Sequence, residues 1–287
     1  MTVYYEYLTS YDQDLSFEGI SDRFPHMMDD VRVRNEEGLY NNLALLLSDQ
    51  CPWGFTVVSS HYGQVHRTTG PIMNQVDDVL DVLDCMNPRM YIKGRTGLCR
   101  RFPRKGLEEG VVNAVIHCDL SLGRDVTVLV DPDVLSIISP GGVWKGGLLG
   151  SGSGTRPRNR NLGNLMLERG RAGLRGHGMH AMREPYTGTG LMPTVVRDER
   201  WFVVNYPALT RDYRDFESRR RQVLTFVRTF RGSDERRISA SLMMTPYYTR
   251  KILSRMEDEG DLFSMGIGMN RMYFPNRWRR RNDESEV

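Results

Sequence analysis

Long apolar runs are missing from this chain. No stretch of about eighteen apolar residues occurs, so the sequence predicts no membrane-spanning helix. The opening "MTVYYEYLTSYDQD" has neither a basic flank nor an apolar centre, and it does not read as a secretory signal. Cysteine is scarce. Cys51, Cys85, Cys99 and Cys118 lie far apart and form no CxxC pair, which argues against a zinc site and a disulfide frame and for thiols of a reducing compartment. Several signatures are also lacking. "GLLGSGSGTRPR" has no Gly-Lys-Ser/Thr at the Walker spacing, and no GxSxG, HExxH or strand–GxGxxG–helix occurs. His61 and His66 in "HYGQVH" are five apart, a spacing that suits no helical zinc pair; they read as a polar loop. No internal repeat is present.

What the chain does have is charge sorted into blocks. Its 287 residues, 39% of them hydrophobic, are enough to bury one large core or two smaller ones. The formal net charge is only +3, but it is unevenly spread. Residues 1–140 carry 12 Lys/Arg against 20 Asp/Glu; residues 141–210 carry 10 against 4; residues 211–281 carry 17 against 9; the last six residues contribute −3. Such asymmetry predicts an electrostatic partner for the second half.

Residues 1–140 read as an acidic, mixed α/β (or α+β) domain. "NEEGLYNNLALLLSD" and "NQVDDVLDVLDCM" have helical apolar spacing, the second with acids on its far face. "GFTVVSS", "RMYIKG", "GVVNAVIHCDL", "DVTVLVD" and "VLSIIS" read as strands, some continuous enough in apolar character to be buried on both faces. Residues 141–190 hold 14 of the 28 glycines and show no sustained period, so they read as a Gly/Arg-rich loop or linker. Residues 191–213 regain strand character around "WFVVNY", either returning to the first domain or entering the next.

Residues 214–281 are the most informative. "DFESRRRQVLTFVRTFRG" sets Phe216, Val223, Val227 and Phe230 on one helical stripe, with Gly232 as a C-cap glycine. "SASLMM" reads as a short second helix capped by Ser239. Thr245 and Pro246 open a third helix that ends near Gly260, with Thr249, Ile252, Leu253 and Met256 on its inner face. "LFSM" and "RMYFP" flank "GIGMN", the pattern of a β-hairpin.

Over about residues 214–275, a quarter of the chain, this order resembles the winged helix-turn-helix family of DNA-binding domains. The resemblance implies that "TPYYTRKILSRMEDEGDL" is the recognition helix and "FSMGIGMNRMYF" the wing. Double-stranded DNA is then the expected partner. Tyr247, Tyr248, Arg250, Lys251, Ser254 and Arg255 are the expected contacts on the helix, Arg271 on the wing, and Arg277, Arg279, Arg280 and Arg281 as a basic arm. The implied work is transcriptional regulation or replication initiation inside a cell, in the cytoplasm, nucleoid or host interior. A homodimer is compatible with this reading and a membrane is not part of it. Winged helices also serve as protein-contact modules, which leaves a structural or interaction protein as an alternative.

A further alternative is a metal-dependent nucleic-acid enzyme of nuclease, primase or nucleotidyltransferase type. Asp119, Asp131 and Asp133 follow apolar runs and would hold Mg²⁺ if they converged, with His117 as a nearby base or ligand. Asp after a strand is also ordinary turn chemistry, and the balance of these signals is against an enzyme. No cofactor is expected outside the Mg²⁺ alternative.

Overall fold

The computed structural model describes residues 15–22, 24, 26, 30–60, 63–92, 96–142, 157–170, 178–209 and 216–276. The chain begins with α1 (Glu18–Ser21) and α2 (Asn42–Leu47), then β1 (Phe55–Ser59) and β2 (Gln64–Arg67). Next come α3 (Ile72–Met86), the small hairpin β3 (Arg89–Tyr91) and β4 (Leu98–Arg100), and α4 (Arg104–His117). β5 (Val126–Val130) and β6 (Val134–Pro140) precede α5 (Arg160–Glu168) and α6 (Gly178–Arg183), and β7 (Thr194–Arg197) and β8 (Trp201–Pro207) follow. The rest comprises α7 (Phe216–Thr229), β9 (Ser233–Asp234), α8 (Glu235–Ser241), α9 (Pro246–Asp258), β10 (Leu262–Met265) and β11 (Met272–Pro275).

The fold is mixed α/β. Six strands form one sheet in the order β2-β1-β5-β6-β8-β7; β1 and β5 run parallel and every other neighbouring pair is antiparallel. Residues alternate between faces of a strand, so one face carries Phe55, Val57, Val126, Val128, Leu135, Ile137, Val204 and Tyr206, all buried. α4 packs on this face: Gly110 lies against Ile137 and Tyr206, and the Ser139 hydroxyl donates to the Ala114 carbonyl at 2.8 Å. The alternate residues of β1 and β5 are only half-buried, which corrects the expectation of strands buried on both faces. A mostly antiparallel sheet needs only one covered face.

"GVVNAVIHCDL" is not a strand but the second half of α4. Val111, Val112, Ala114, Val115 and Ile116 are all buried, so the helix is wrapped around most of its circumference. A helix buried that way shows no polar stripe, and its apolar run looks like a buried strand. The loop expected over 141–190 also gives way in part. α5 buries Leu162, Leu165 and Met166, and Asn159 donates to the Val115 and Cys118 carbonyls at 2.9 and 3.1 Å. Gly163 sits close to Pro157 and to Ile116 of α4, so this glycine serves close packing. Residues 143–156 and 171–177 lie outside the described residues. β8 returns to the main sheet beside β6, over the register Val134↔Pro207 to Pro140↔Trp201.

In the C-terminal part, α7, α8 and α9 pack around Val223, Val227, Ile238, Ile252, Leu253 and Met256. Strands β10, β11 and β9 form a three-stranded sheet in that order. The caps follow from the sequence: Thr245 Oγ1 accepts from the Tyr248 N–H at 3.3 Å, Pro246 is the first helical residue, and Gly260 takes φ +75 just past the end. The second helix starts earlier than "SASLMM" suggests. Asp234 caps it by accepting from the Arg237 N–H, while Ser239 is buried and donates to the Met244 carbonyl at 2.7 Å.

The two parts meet at the start of α9. The Thr245 N–H donates to the Gly190 carbonyl at 2.8 Å, and the Met192 N–H to the Met243 carbonyl at 3.0 Å. Met243 accepts that bond with φ +50, a conformation that costs a non-glycine residue about 1 kcal/mol or more. Gly190, at φ +81, lies flat against the Tyr248 ring; a Cβ there would be 2.8 Å from Cγ of that ring.

Candidate nucleic-acid interface

One face of α9 is apolar and buried; the opposite face is polar and open. Thr249, Ile252, Leu253 and Met256 are at most 3% exposed. Tyr247, Arg250, Lys251 and Ser254 project outward, and Tyr247 is 73% exposed, high for a large ring. Arg250 reaches Glu235 of α8 at 3.1 Å, an exposed pair of the kind that contributes little. Lys251 has no ion pair among the described residues. The hairpin β10–β11 stands beside this helix, joined through Met265↔Met272 and Leu262↔Pro275.

The expected contacts do not all lie on that open face. Tyr248 is half-buried against Gly190, turned toward the α/β part. Arg255 pairs with Glu259 at 2.7 Å, and its guanidinium lies 3.6 Å from the centre of the Phe216 ring. Arg271 pairs with Glu257 at 2.8 Å and donates to Ser264 Oγ at 2.9 Å, and the Glu257 carboxylate holds it above the usual guanidinium value. Its charge thus fastens the hairpin to the end of α9, and Glu257 and Glu259 at the end of this helix are partners of the protein's own cations. Arg277, Arg279, Arg280 and Arg281 lie outside the described residues, as does His61; His66 is exposed on β2. Sequence reasoning missed the 190–192 segment and Glu235. No local signal marks either as a neighbour of α9.

The carboxylates proposed for metal do not come together. Asp119 follows a helix, and its N–H donates to the Pro140 carbonyl at 2.8 Å, at the end of β6. Asp131 and Asp133 flank the turn before β6 begins. The length of β6 separates them, about 20 Å at ~3.4 Å per residue. The carboxylates of Asp119 and Asp131 have partners of their own, and Asp133 is held through its backbone. Asp119 is ion-paired with Arg158 and caps the following turn, Asp131 accepts from the Ser60 hydroxyl, and the Asp133 carbonyl accepts from the Ala208 N–H at 2.8 Å. Among the described residues no three His, Cys, Asp or Glu side chains are grouped to hold a metal ion.

His117 is a half-buried residue at the end of α4. Burial, and secondarily the Arg158 charge, pushes it from 6.5 down to about 4. Between those values the unfolded chain binds a proton that the folded chain does not, so stability falls as pH drops through that window. Urea titrations should show a His117→Gln variant losing part of the acid sensitivity between pH 6.5 and 4; an unchanged profile would mean that His117 titrates as a solvated side chain. All four cysteines are unbridged, and burial pushes the Cys51 and Cys118 thiols up to about 12.

No protein-family model and no curated protein matches the chain. Among solved structures, it is similar to the DIP2311 protein from Corynebacterium diphtheriae, with a TM-score of 0.55 at 15% identity. The match covers 99% of this chain and 66% of that one, so this chain spans just under two thirds of that protein's length. At this identity the likeness concerns the fold alone. No helix among the described residues is long and apolar enough to cross a membrane.

Proposed function

We propose that the chain binds duplex DNA through a winged helix-turn-helix module formed by residues 216–276, with α9 as the recognition helix and β10–β11 as the wing. The observation that carries this reading is the outward face of α9, where Tyr247, Arg250, Lys251 and Ser254 stand exposed over a fully buried apolar face. The order helix, strand, helix, helix, hairpin supports it, as does the excess of 17 Lys/Arg over 9 Asp/Glu in residues 211–281. Recognition helices approach base edges with their N-terminal turns, where Tyr247, Arg250 and Lys251 sit. Because the Thr245 N–H is already given to the Gly190 carbonyl, phosphates would be held by side chains more than by the helix terminus. A regulator of transcription or an initiator of replication fits such a module. The metal-enzyme alternative has lost its argument, since its three carboxylates sit at opposite ends of β6.

Binding of a fluorescent duplex, measured by anisotropy across salt concentrations, tests the reading. Log affinity should fall linearly with log salt, with a slope of about −3 to −5 for a small module that neutralises a few phosphates. No duplex binding at low salt, or a flat salt response, would remove it.

A further inference from the structure

Besides its buried stripe, α7 carries a short apolar patch, Phe226 and Phe230, that the structure covers only in part. Val223 and Val227 point into the three-helix core. Gln222, Phe226 and Phe230, one turn apart, lie along an open groove of about 390 Å³ whose floor is completed by Leu242 beyond the end of α8. The Phe226 and Phe230 rings are 4.7 Å apart, and Phe230 is 46% exposed. Over the Phe230 ring, at 4.5 Å, stands the Arg237 guanidinium. Arg221 lines the groove at its other end, and no carboxylate among the described residues lines it. Arg228 and Arg231 are exposed nearby.

We infer that this groove is a docking site for an acidic amphipathic helix of another protein. The apolar part of the trough on α7 runs from Phe226 to Phe230, about 6 Å at ~1.5 Å per residue. That length receives two apolar anchors spaced i, i+4 on a partner helix, the usual form of helix-in-groove recognition. The rim sets the sign of the partner's charge: Arg221 and Arg237 flank the anchors and would face carboxylates on the partner's polar face. A second copy of this chain answers that rim poorly, because two α7 helices laid antiparallel over Phe226 would set Arg221 of one copy near Arg231 of the other. The groove lies on α7 and α8, away from the open face of α9, so this inference stands independently of DNA binding.

A phage-displayed library of randomised peptides of about 16 residues, long enough to hold a helix, is selected on the full chain. The expected winners carry net negative charge and an apolar pair at i, i+4. A labelled winner should bind at least tenfold more weakly to Phe230→Glu, Phe230→Ser and Arg221→Glu, each with an unchanged thermal midpoint, and more weakly as salt rises. Winners without acidic bias, or peptides that bind Phe230→Ser as well as the parent, overturn the inference. Self-association abolished by Phe230→Ser would assign the groove to a second copy, and loss of oligo-dT binding in that variant would assign it to nucleic acid; either result also overturns it.

Discussion

Reversing Arg250 and Lys251 together, to Glu, should lower duplex affinity by about a hundredfold or more. Both side chains are exposed on α9, and neither belongs to the core, so the fold has little to lose. The one partner in play is Glu235, 3.1 Å from Arg250, and an exposed pair of that type is worth roughly 0–1 kcal/mol. Phosphate can therefore compete for the guanidinium. Losing two phosphate contacts also makes the salt slope shallower by about 2. Arg255 is the internal control. It has the same charge on the same helix, but it is turned onto Phe216 and Glu259. Arg255→Gln should change affinity no more than about threefold, the level of a distant surface charge. If Arg255→Gln weakens binding as much as Arg250→Gln, an equal change of charge, net charge and not the α9 face is responsible, and the proposed recognition helix is wrong.

The second large effect concerns stability. Asp261 is 6% exposed and accepts from Arg220 Nε and Nη2, both at 2.6 Å, in a two-pronged pair that joins the end of α9 to α7. Its backbone closes two more bonds, the N–H to the Met256 carbonyl and the carbonyl from the Asn276 N–H, each at 2.8 Å. Asp261→Ala leaves Arg220 with the exposed Glu217 carboxylate, 3.2 Å away, in place of the buried one. Cutting a buried pair on one side costs about 3–5 kcal/mol. Arg220 retains 26% exposure, and water offsets part of that loss, so about 2–3 kcal/mol is expected. The midpoint of thermal unfolding should then fall by about 5–10 °C. Arg220→Ala combined with Asp261→Ala should cost less than the sum of the two single changes by about 1–3 kcal/mol. Asp258→Ala, an exposed acid on the same helix, should move stability by no more than about 0.5 kcal/mol. If Asp261→Ala proves as mild as Asp258→Ala, the pair does not hold the helices together.

Most C-terminal elements were legible because they carry their own signal, α8 excepted, which Asp234 and not Ser239 caps. Thr245 with Pro246 starts a helix, Gly260 ends it, and a four-residue apolar set at helical spacing marks the inner face; all sit where the pattern puts them. The candidate site was only partly legible for a related reason. A helical projection shows which side chains leave the inner face, but not what meets them. In sequence Tyr248 and Arg255 flank the apolar stripe and Arg271 follows the hairpin turn; they are met by Gly190, by Phe216 with Glu259, and by Glu257. The metal proposal failed on the same point, since it took α4 for a strand and so placed Asp119 at a strand end.

By itself the sequence determined local matters: that α3 is a helix, where α9 begins and ends, that β1, β5, β6 and β8 are strands, and that positive charge gathers in the second half. These depend on backbone propensity, capping and period, which act over a few residues. Only the tertiary structure decided that "GVVNAVIHCDL" is helix, that α5 is a packed element, that β8 lies beside β6, and that Tyr248 is turned inward while Tyr247 remains open. Those outcomes depend on burial by residues far away in the chain, and a helix covered on nearly all sides leaves no polar stripe in its sequence to show it.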